Sequence, residues 1–346
     1  MKKCIEFVAA IGIDLGDKTA CFACLNDQGD LVMKDSVPMT AAAFKKVFAA
    51  FKPTRIAIEA GAQSRWVACL LESLGHQVIV ANPRQLKLIS ASASKNDQND
   101  AVLLARLARV DPSLLSPLKH RPEQEQIQLL AIRARAQLVD TRTGLMHSLR
   151  GMLKTFGIRL PGSTSAYFAE RCQASVPPPF RPLLEGMFKV IAELSRQIEA
   201  YDEQIEQLAR EQHPEVWRLC KISGVGTLTA LTYVLTLADP KRFAHSRDVG
   251  PYLGLRPRQQ QSGNQNPQLG ISKAGDSYLR RLLVQCAHSL MRKHAPDTAL
   301  RVWGLRLCER GGKNAKKRAV VAVARKLAVL MHRLWAGGGE YQAFPA

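Results

Sequence analysis

Val8-Ala9-Ala10-Ile11-Gly12-Ile13-Asp14-Leu15-Gly16 is an apolar run that ends on a carboxylate set among small and apolar neighbours. A run of this kind reads as a buried strand, placed here over residues 6–15. A second run, Ile56-Ala57-Ile58-Glu59, ends the same way inside a strand expected over 55–60. A third acidic group, Asp97 and Asp100, lies in Lys95-Asn96-Asp97-Gln98-Asn99-Asp100-Ala101 at the mouth of a helical run. Residues three apart share a helix face, so two strand ends and this pair can converge on one point. Convergent carboxylates are costly without a neutralising cation. Hard divalent ions, Mg²⁺ or Mn²⁺, suit such an all-oxygen set. Two such ions clamp both the attacking and the leaving oxygen of a phosphodiester. Each carboxylate alone has a plainer reading. Glu59 suits a surface ion pair, and Asp97 with Asp100 suit the positive end of a helix.

Outward from these runs, residues 1–120 read as alternating α/β. Strands at 20–26 and 30–37 flank the turn Asp27-Gln28-Gly29. Thr40 caps a helix over 41–51, stopped by Pro53. A helix over 63–74 ends at Gly75, and Gln77-Val78-Ile79-Val80-Ala81 forms the next strand. Pro83 starts a short helix, and a longer one covers 98–110. The pattern predicts an α/β unit with a mixed sheet. Its order, three strands in a meander and then helix–strand–helix–strand, resembles a ribonuclease H-like domain.

Residues 121–213 divide into two long helical halves, 123–156 and 180–211. The first carries Ile127, Leu130, Ile132, Leu138, Leu145, Leu149 and Leu153. The second carries Leu184, Met187, Ile191, Leu194, Ile198, Tyr201, Ile205 and Leu208 at spacings that resemble a heptad seam. The irregular stretch 157–179 between them makes this an antiparallel hairpin, either a projecting coiled-coil arm or an ordinary bundle segment. Residues 214–346 form a mainly helical C-terminal domain whose basic residues concentrate between Arg301 and Arg333. The fold class is thus α/β plus α.

The 346 residues are 46% hydrophobic, enough for real cores, and Lys plus Arg exceed Asp plus Glu by 49 to 29. A net charge of +20 is an electrostatic footprint for a polyanion. No apolar stretch approaches a membrane span, and no signal peptide with a clean apolar core is evident, so nucleic acid is favoured over a membrane surface. Of eight cysteines only Cys21 and Cys24 are close in sequence, which is no zinc pattern. Reduced, mostly buried thiols are expected.

Two further constellations stand out. Ile222-Ser223-Gly224-Val225-Gly226-Thr227 looks like a helix-hairpin-helix turn, whose backbone N–H groups at Gly224, Gly226 and Thr227 can face a phosphate. The same glycines also suit a tight helix connection. Then come Gly254-Leu255-Arg256-Pro257-Arg258, Ser262-Gly263, Gly270-Ile271-Ser272-Lys273-Ala274-Gly275 and Arg280-Arg281. Arg256, Arg258, Lys273, Arg280 and Arg281 are candidate phosphate contacts. A serine hydroxyl can attack a phosphodiester held by arginines, though a loop serine is ordinarily a turn residue.

Taken in this order, Gly12-Ile13-Asp14, Ile58-Glu59-Ala60, Lys95-Asn96-Asp97-Gln98-Asn99-Asp100-Ala101, Ile222-Ser223-Gly224-Val225-Gly226 and the run from Gly254 to Arg280 resemble the IS110/IS1111 family of insertion-sequence transposases. The resemblance spans nearly the whole chain. Asn96 stands where that family usually has threonine, beside the acidic set. The resemblance implies a RuvC-like DEDD domain at 1–120 with Asp14, Glu59, Asp97 and Asp100 as metal ligands. It implies a coiled-coil arm over 121–213 and a transposase domain over 214–346, with Ser262 as catalytic serine and Ser272 as its competitor. It implies an RNA-guided recombinase acting in the bacterial cytoplasm on the nucleoid. A noncoding bridge RNA would pair with donor and target DNA, a 5′-phosphoserine link would form, and strands would exchange through a Holliday junction. Dimers assembling to a tetramer would complete each site from two subunits. The competing readings are a junction-selective endonuclease using metal-activated water and a non-enzymatic nucleic-acid-binding protein.

Overall fold

The computed structural model describes residues 8–85, 97–261, 267 and 269–344, with Asp97 described by its backbone alone. The chain forms two compact units, Met1–His120 and Arg121–Ala346.

The first unit is built on strands β1 (Ala10–Leu15), β2 (Thr19–Leu25), β3 (Leu31–Pro38), β4 (Arg55–Glu59) and β5 (Gln77–Ala81). They form one sheet in the order β3-β2-β1-β4-β5. β1 runs antiparallel to β2 and parallel to β4, and β5 is parallel to β4. This is the expected mixed sheet, in an order consistent with a ribonuclease H-like domain. Alternation sorts the side chains into two faces. Ile11, Ile13, Ile56 and Ile58 face a core with Phe44 and Phe48 of α1 (Ala41–Phe48) and Val67 and Leu71 of α2 (Ser64–Ser73). Ala10, Ala57, Ile79 and Ala81 face Leu104, Leu107 and Ala108 of α3 (Asp97–Val110).

Several boundaries differ from expectation. β1 starts at Ala10 rather than at residue 6, with 6 and 7 outside the described residues. Thr40 does cap α1, its hydroxyl accepting from the Ala43 N–H at 3.3 Å, but the helix stops at Phe48. The chain there turns through a Phe51 N–H to Phe48 carbonyl bond, which buries Phe51 well before Pro53 can act. The helix expected after Pro83 is a turn as far as Gln85 and otherwise lies outside the described residues.

In the second unit, α4 (Glu123–Lys154) and α6 (Arg181–Gln212) form the antiparallel hairpin. Ile191, Ile198 and Ile205 are buried seven residues apart on α6, as the pattern indicated. On α4 the buried stripe is Leu129, Ile132, Ala136, Met146, Leu149 and Leu153, whereas Ile127 and Leu130 are exposed. Arg135 makes a two-pronged pair with Asp202, at 2.6 and 3.0 Å, across the hairpin. The stretch read as irregular contains a short helix, α5 (Phe168–Gln173), because Phe168 and Cys172 plug a separate core at the tip with Leu149 and Phe188. A six-residue helix leaves too little periodicity to read.

The hairpin's base, at Leu129, Ile132, Ile205 and Ala209, shares one core with the helices that follow. These are α7 (Glu215–Cys220), α8 (Thr227–Leu237), α9 (Val249–Tyr252), α10 (Ser277–Leu290), α11 (Ala299–Glu309) and α12 (Ala315–Gly337). α8 is buried on all sides from Thr229 to Leu237 and forms the centre, with the Tyr233 hydroxyl donating to the Ala328 carbonyl at 2.7 Å. None of the described cysteines forms a disulfide; Cys24, Cys172 and Cys286 are buried, while Cys69 is exposed. No helix among the described residues is long and apolar enough to cross a membrane.

Candidate functional site

Asp14 and Glu59 end two strands that lie side by side. The parallel register pairs Gly12 with Ala57 and Ile13 with Ile58, so the two carboxylates stand one step beyond the last pair. Two-residue periodicity puts Asp14 on the face of Gly12 and Glu59 on the face of Ala57. That face is the one α3 covers. A β-carbon at Gly12 would meet the Ala101 carbonyl oxygen at 2.1 Å and the Ala105 nitrogen at 2.4 Å. Ala10, earlier on β1, packs in the cluster with Leu104, Leu107 and Ala108. α3 therefore runs opposite to β1, and its first turn, with Asp97 and Asp100, comes to the strand end that bears Asp14. Asp100 is buried, at 7% exposure.

The structure thus brings Asp14, Glu59 and the start of α3 to one edge of the sheet. Asp97 begins α3, and its side chain lies outside the described residues. Among the described side chains no three acidic, histidine or cysteine groups already close around one point. Asp14, Glu59, Asp97 and Asp100 are all carboxylates, the donor type that hard divalent ions such as Mg²⁺ or Mn²⁺ take.

In the second unit the glycine motifs fold back on each other. Gly254 and Gly275 both have positive φ, +69° and +67°. A β-carbon at Gly254 would stand 2.2 Å from the Ala274 nitrogen, and one at Gly275 would stand 2.1 Å from the Tyr252 carbonyl oxygen. Only glycine permits this crossing. It brings the two arms of the loop together, with the Arg258 N–H donating to Gly270 and the Ser272 N–H to Arg256, at 3.0 and 2.9 Å. Ser262 and Gly263, between Arg258 and Gly270 in sequence, lie outside the described residues. Ser272 is exposed, its hydroxyl accepting from the Ala274 N–H at 3.4 Å. Lys273 holds φ of +55°, unusual for a residue with a side chain.

The candidate phosphate contacts divide. Arg256 and Arg258 are exposed on the loop, and Arg256 donates to Gln259 at 2.6 Å. Arg280 instead points inward and donates to the carbonyls of Leu253 and Ala274 at 3.0 and 2.6 Å, tying the crossing shut. Arg281 lies over the Tyr278 ring and pairs with Asp140 of α4 at 3.2 Å. Beside it, Arg133 pairs at 3.0 Å with Asp276, which caps α10 by accepting from the Leu279 N–H. The sequence reading missed Asp276 and Arg133, whose pairing across 143 residues leaves no local mark. At the other glycine turn, Gly224 has φ of +80° and would carry a β-carbon 3.3 Å from the Cys286 carbonyl oxygen, a packing requirement. Gly226 has open space around it and caps α8 without a side-chain partner, and Thr227 is the first helical residue.

Comparison with known proteins gives two family matches along the chain. A model described as transposase, of the IS110 DEDD type, matches residues 11–158, and one described as transposase of the IS116/IS110/IS902 family matches residues 217–302. Over 343 residues the chain is 28% identical to the transposase for insertion sequence element IS1111A of Coxiella burnetii, covering 97% of this chain and 91% of that one. It is 30% identical over 298 residues to the transposase for insertion sequence element IS1328 of Yersinia enterocolitica, covering 83% and 85%. A probable family 20 transposase of Pseudomonas aeruginosa is 30% identical over 299 residues, covering 84% and 85%. The protein is therefore a transposase, an enzyme of DNA recombination. More particularly, the chain belongs to the IS116/IS110/IS902 family of insertion-sequence transposases.

Proposed function

We propose that this transposase cuts and rejoins DNA under the guidance of a noncoding bridge RNA, with Ser262 as the nucleophile. The observation that carries the reading is the meeting of Asp14 and Glu59, at adjoining strand ends, with the first turn of α3 that holds Asp97 and buried Asp100. Asp14, Glu59, Asp97 and Asp100 would hold Mg²⁺ or Mn²⁺, which when bound supplies stabilisation of charge on the phosphodiester oxygens.

The Ser262 hydroxyl attacks phosphorus and gives up its proton. An Oγ–P bond forms to the 5′-phosphate as the bond to the 3′-oxygen breaks, and that oxygen leaves as a 3′-hydroxyl after protonation. The phosphoserine ester keeps the bond energy, so a 3′-hydroxyl from another strand can reverse the step and rejoin DNA. Repeated on both strands, this produces exchange through a Holliday junction. Donor and target duplexes are the substrates, in the bacterial cytoplasm at the nucleoid. A dimer assembling to a tetramer supplies the paired sites. The net charge of +20 supports contact with nucleic-acid backbones, and pairing by the RNA would select sequence.

The test is to incubate protein, RNA and matched DNA, quench in denaturant and look for protein-linked DNA. Wild type should give a linked species and Ser262→Ala none. An adduct that persists in Ser262→Ala moves the nucleophile to Ser272. Cleavage by wild type with no adduct at any time means a water nucleophile, the endonuclease reading. Equal recombination without any RNA overturns the guide.

A further inference from the structure

The loop arms and helices α11 and α12 bound a cleft of about 1650 Å³. Its floor is apolar, with Trp303 and Leu307 from α11, Val321 and Val329 from α12, and Ile271 from the loop. Its rim is cationic, with Arg310, Lys317, Arg318, Arg325 and Lys326 on the helix side and Arg258 and Lys273 on the loop side. No Asp or Glu lines it among the described residues. Two details aim the cations. Gly250 leaves a gap through which the Arg325 stem passes, since a β-carbon there would lie 3.1 Å from Arg325 Cγ. Lys326 holds its ammonium 4.4 Å from the centre of the Trp303 ring, on the cleft floor.

We propose that this cleft binds an unpaired DNA strand, with bases laid on the floor at Trp303 and phosphates along the cationic rim. The inference rests on the recombinase reading, because one wall is the loop that carries Ser262 in sequence. A duplex offers its outer surface, phosphate and sugar, and would set charged oxygens against an apolar floor at a desolvation cost. An unpaired strand offers both surfaces the cleft matches: flat apolar faces for the floor and anions for the rim. A base arriving at Trp303 competes with Lys326 for the ring. Stacking outranks a surface cation–π contact, and the displaced ammonium stays within the cleft to meet a phosphate. The occupant is DNA rather than RNA because the loop arms that form this wall lead in sequence to Ser262, which attacks a DNA phosphate in that reading.

The experiment uses the full-length protein and fluorescence anisotropy with three labelled probes of one mixed sequence: single-stranded DNA of about twelve nucleotides, its duplex, and the matching RNA strand. Lys317→Glu with Arg318→Glu, and separately Trp303→Ala, should each weaken the single DNA strand by about tenfold while changing duplex affinity less than about twofold. Trp303→Phe, which keeps an aromatic floor, should lose much less and controls for damage to the core. Equal losses for duplex and single strand overturn the proposal in favour of a duplex groove. Losses confined to the RNA probe overturn it in favour of an RNA site, and no loss overturns it outright. If wild type forms no covalent adduct yet the cleft variants lose the single strand, the serine reading has failed and the cleft assignment has not.

Discussion

Gly12 lies so close to Ala101 that a β-carbon on the strand residue would stand 2.1 Å from the helix residue's carbonyl oxygen. The backbones of β1 and α3 are in direct contact there. Two residues along β1 is Asp14, and one residue back along α3 is Asp100. The glycine therefore sets the distance between carboxylates that come from segments more than eighty residues apart. Gly12→Ala should push α3 off the sheet at a cost of about 3 kcal/mol, read by denaturant unfolding. Strand cleavage should fall about a hundredfold through misplacement of the acidic groups, with DNA binding little changed. Gly61→Ala, where nothing lies within 4 Å of the added carbon, is the control and should leave both intact.

The acidic set makes its own prediction about metal. Removing divalent ions with EDTA should abolish cleavage, and Mg²⁺ or Mn²⁺ should restore it. Independently of activity, an ion at about a hundred times its dissociation constant should stabilise the folded wild-type protein by about 2.7 kcal/mol. Asp14→Asn and Glu59→Gln should lose most of that increment. Equal stabilisation by Mg²⁺ of wild type and both variants would show that the ion binds elsewhere.

Arg280 and Arg258 should separate cleanly. Arg280 is committed to the carbonyls of Leu253 and Ala274, so Arg280→Ala should destabilise the second unit by about 2 kcal/mol. It should also expose the loop to protease and leave the salt dependence of DNA binding unchanged. Arg258 is exposed. Arg258→Ala should leave thermal stability alone and reduce the slope of log affinity against log salt by about one.

Alkaline pH should weaken the first unit through a thiol. Burial with no charged partner pushes Cys24 up to about 12 from an ordinary 9.0. The folded protein keeps this thiol protonated while the unfolded chain ionises it. Its contribution is whole below pH 9.0 and is lost as pH rises from there to about 12. The loss approaches about 1.4 kcal/mol per pH unit. Burial raises Cys172, Cys220 and Cys286 in the same direction. Denaturant unfolding at stepped pH should show a plateau and then this decline. In thiol labelling at neutral pH, exposed Cys69 should react first among the described cysteines and Cys24 only on unfolding.

The sheet and its acidic strand ends were legible because they are written in local patterns. Gln77–Ala81 falls where expected, and Asp14 and Glu59 follow runs that only a buried strand explains. A further mark was present and unused: β1 alternates small with large, Ala10-Ile11-Gly12-Ile13, so its small side admits a helix backbone. The loop side chains were less legible. Arg256, Arg258, Arg280 and Arg281 look alike in sequence, yet Arg280 holds carbonyls inside the crossing and Arg281 sits on Tyr278 against Asp140.

By itself the sequence determined the order of the strands in the first unit, the acidic residues, the glycine motifs and the family, since each depends on residue types at fixed short spacing. Only the tertiary structure decided that β4 lies beside β1 in parallel register. It alone showed that α3 runs back over their small face and that Arg133 holds Asp276 across 143 residues. It alone turned the basic C-terminal stretch into the rim of a cleft with Trp303 at its floor. These relationships depend on which surfaces pack, and packing energy is summed over contacts distant in sequence that no local pattern records.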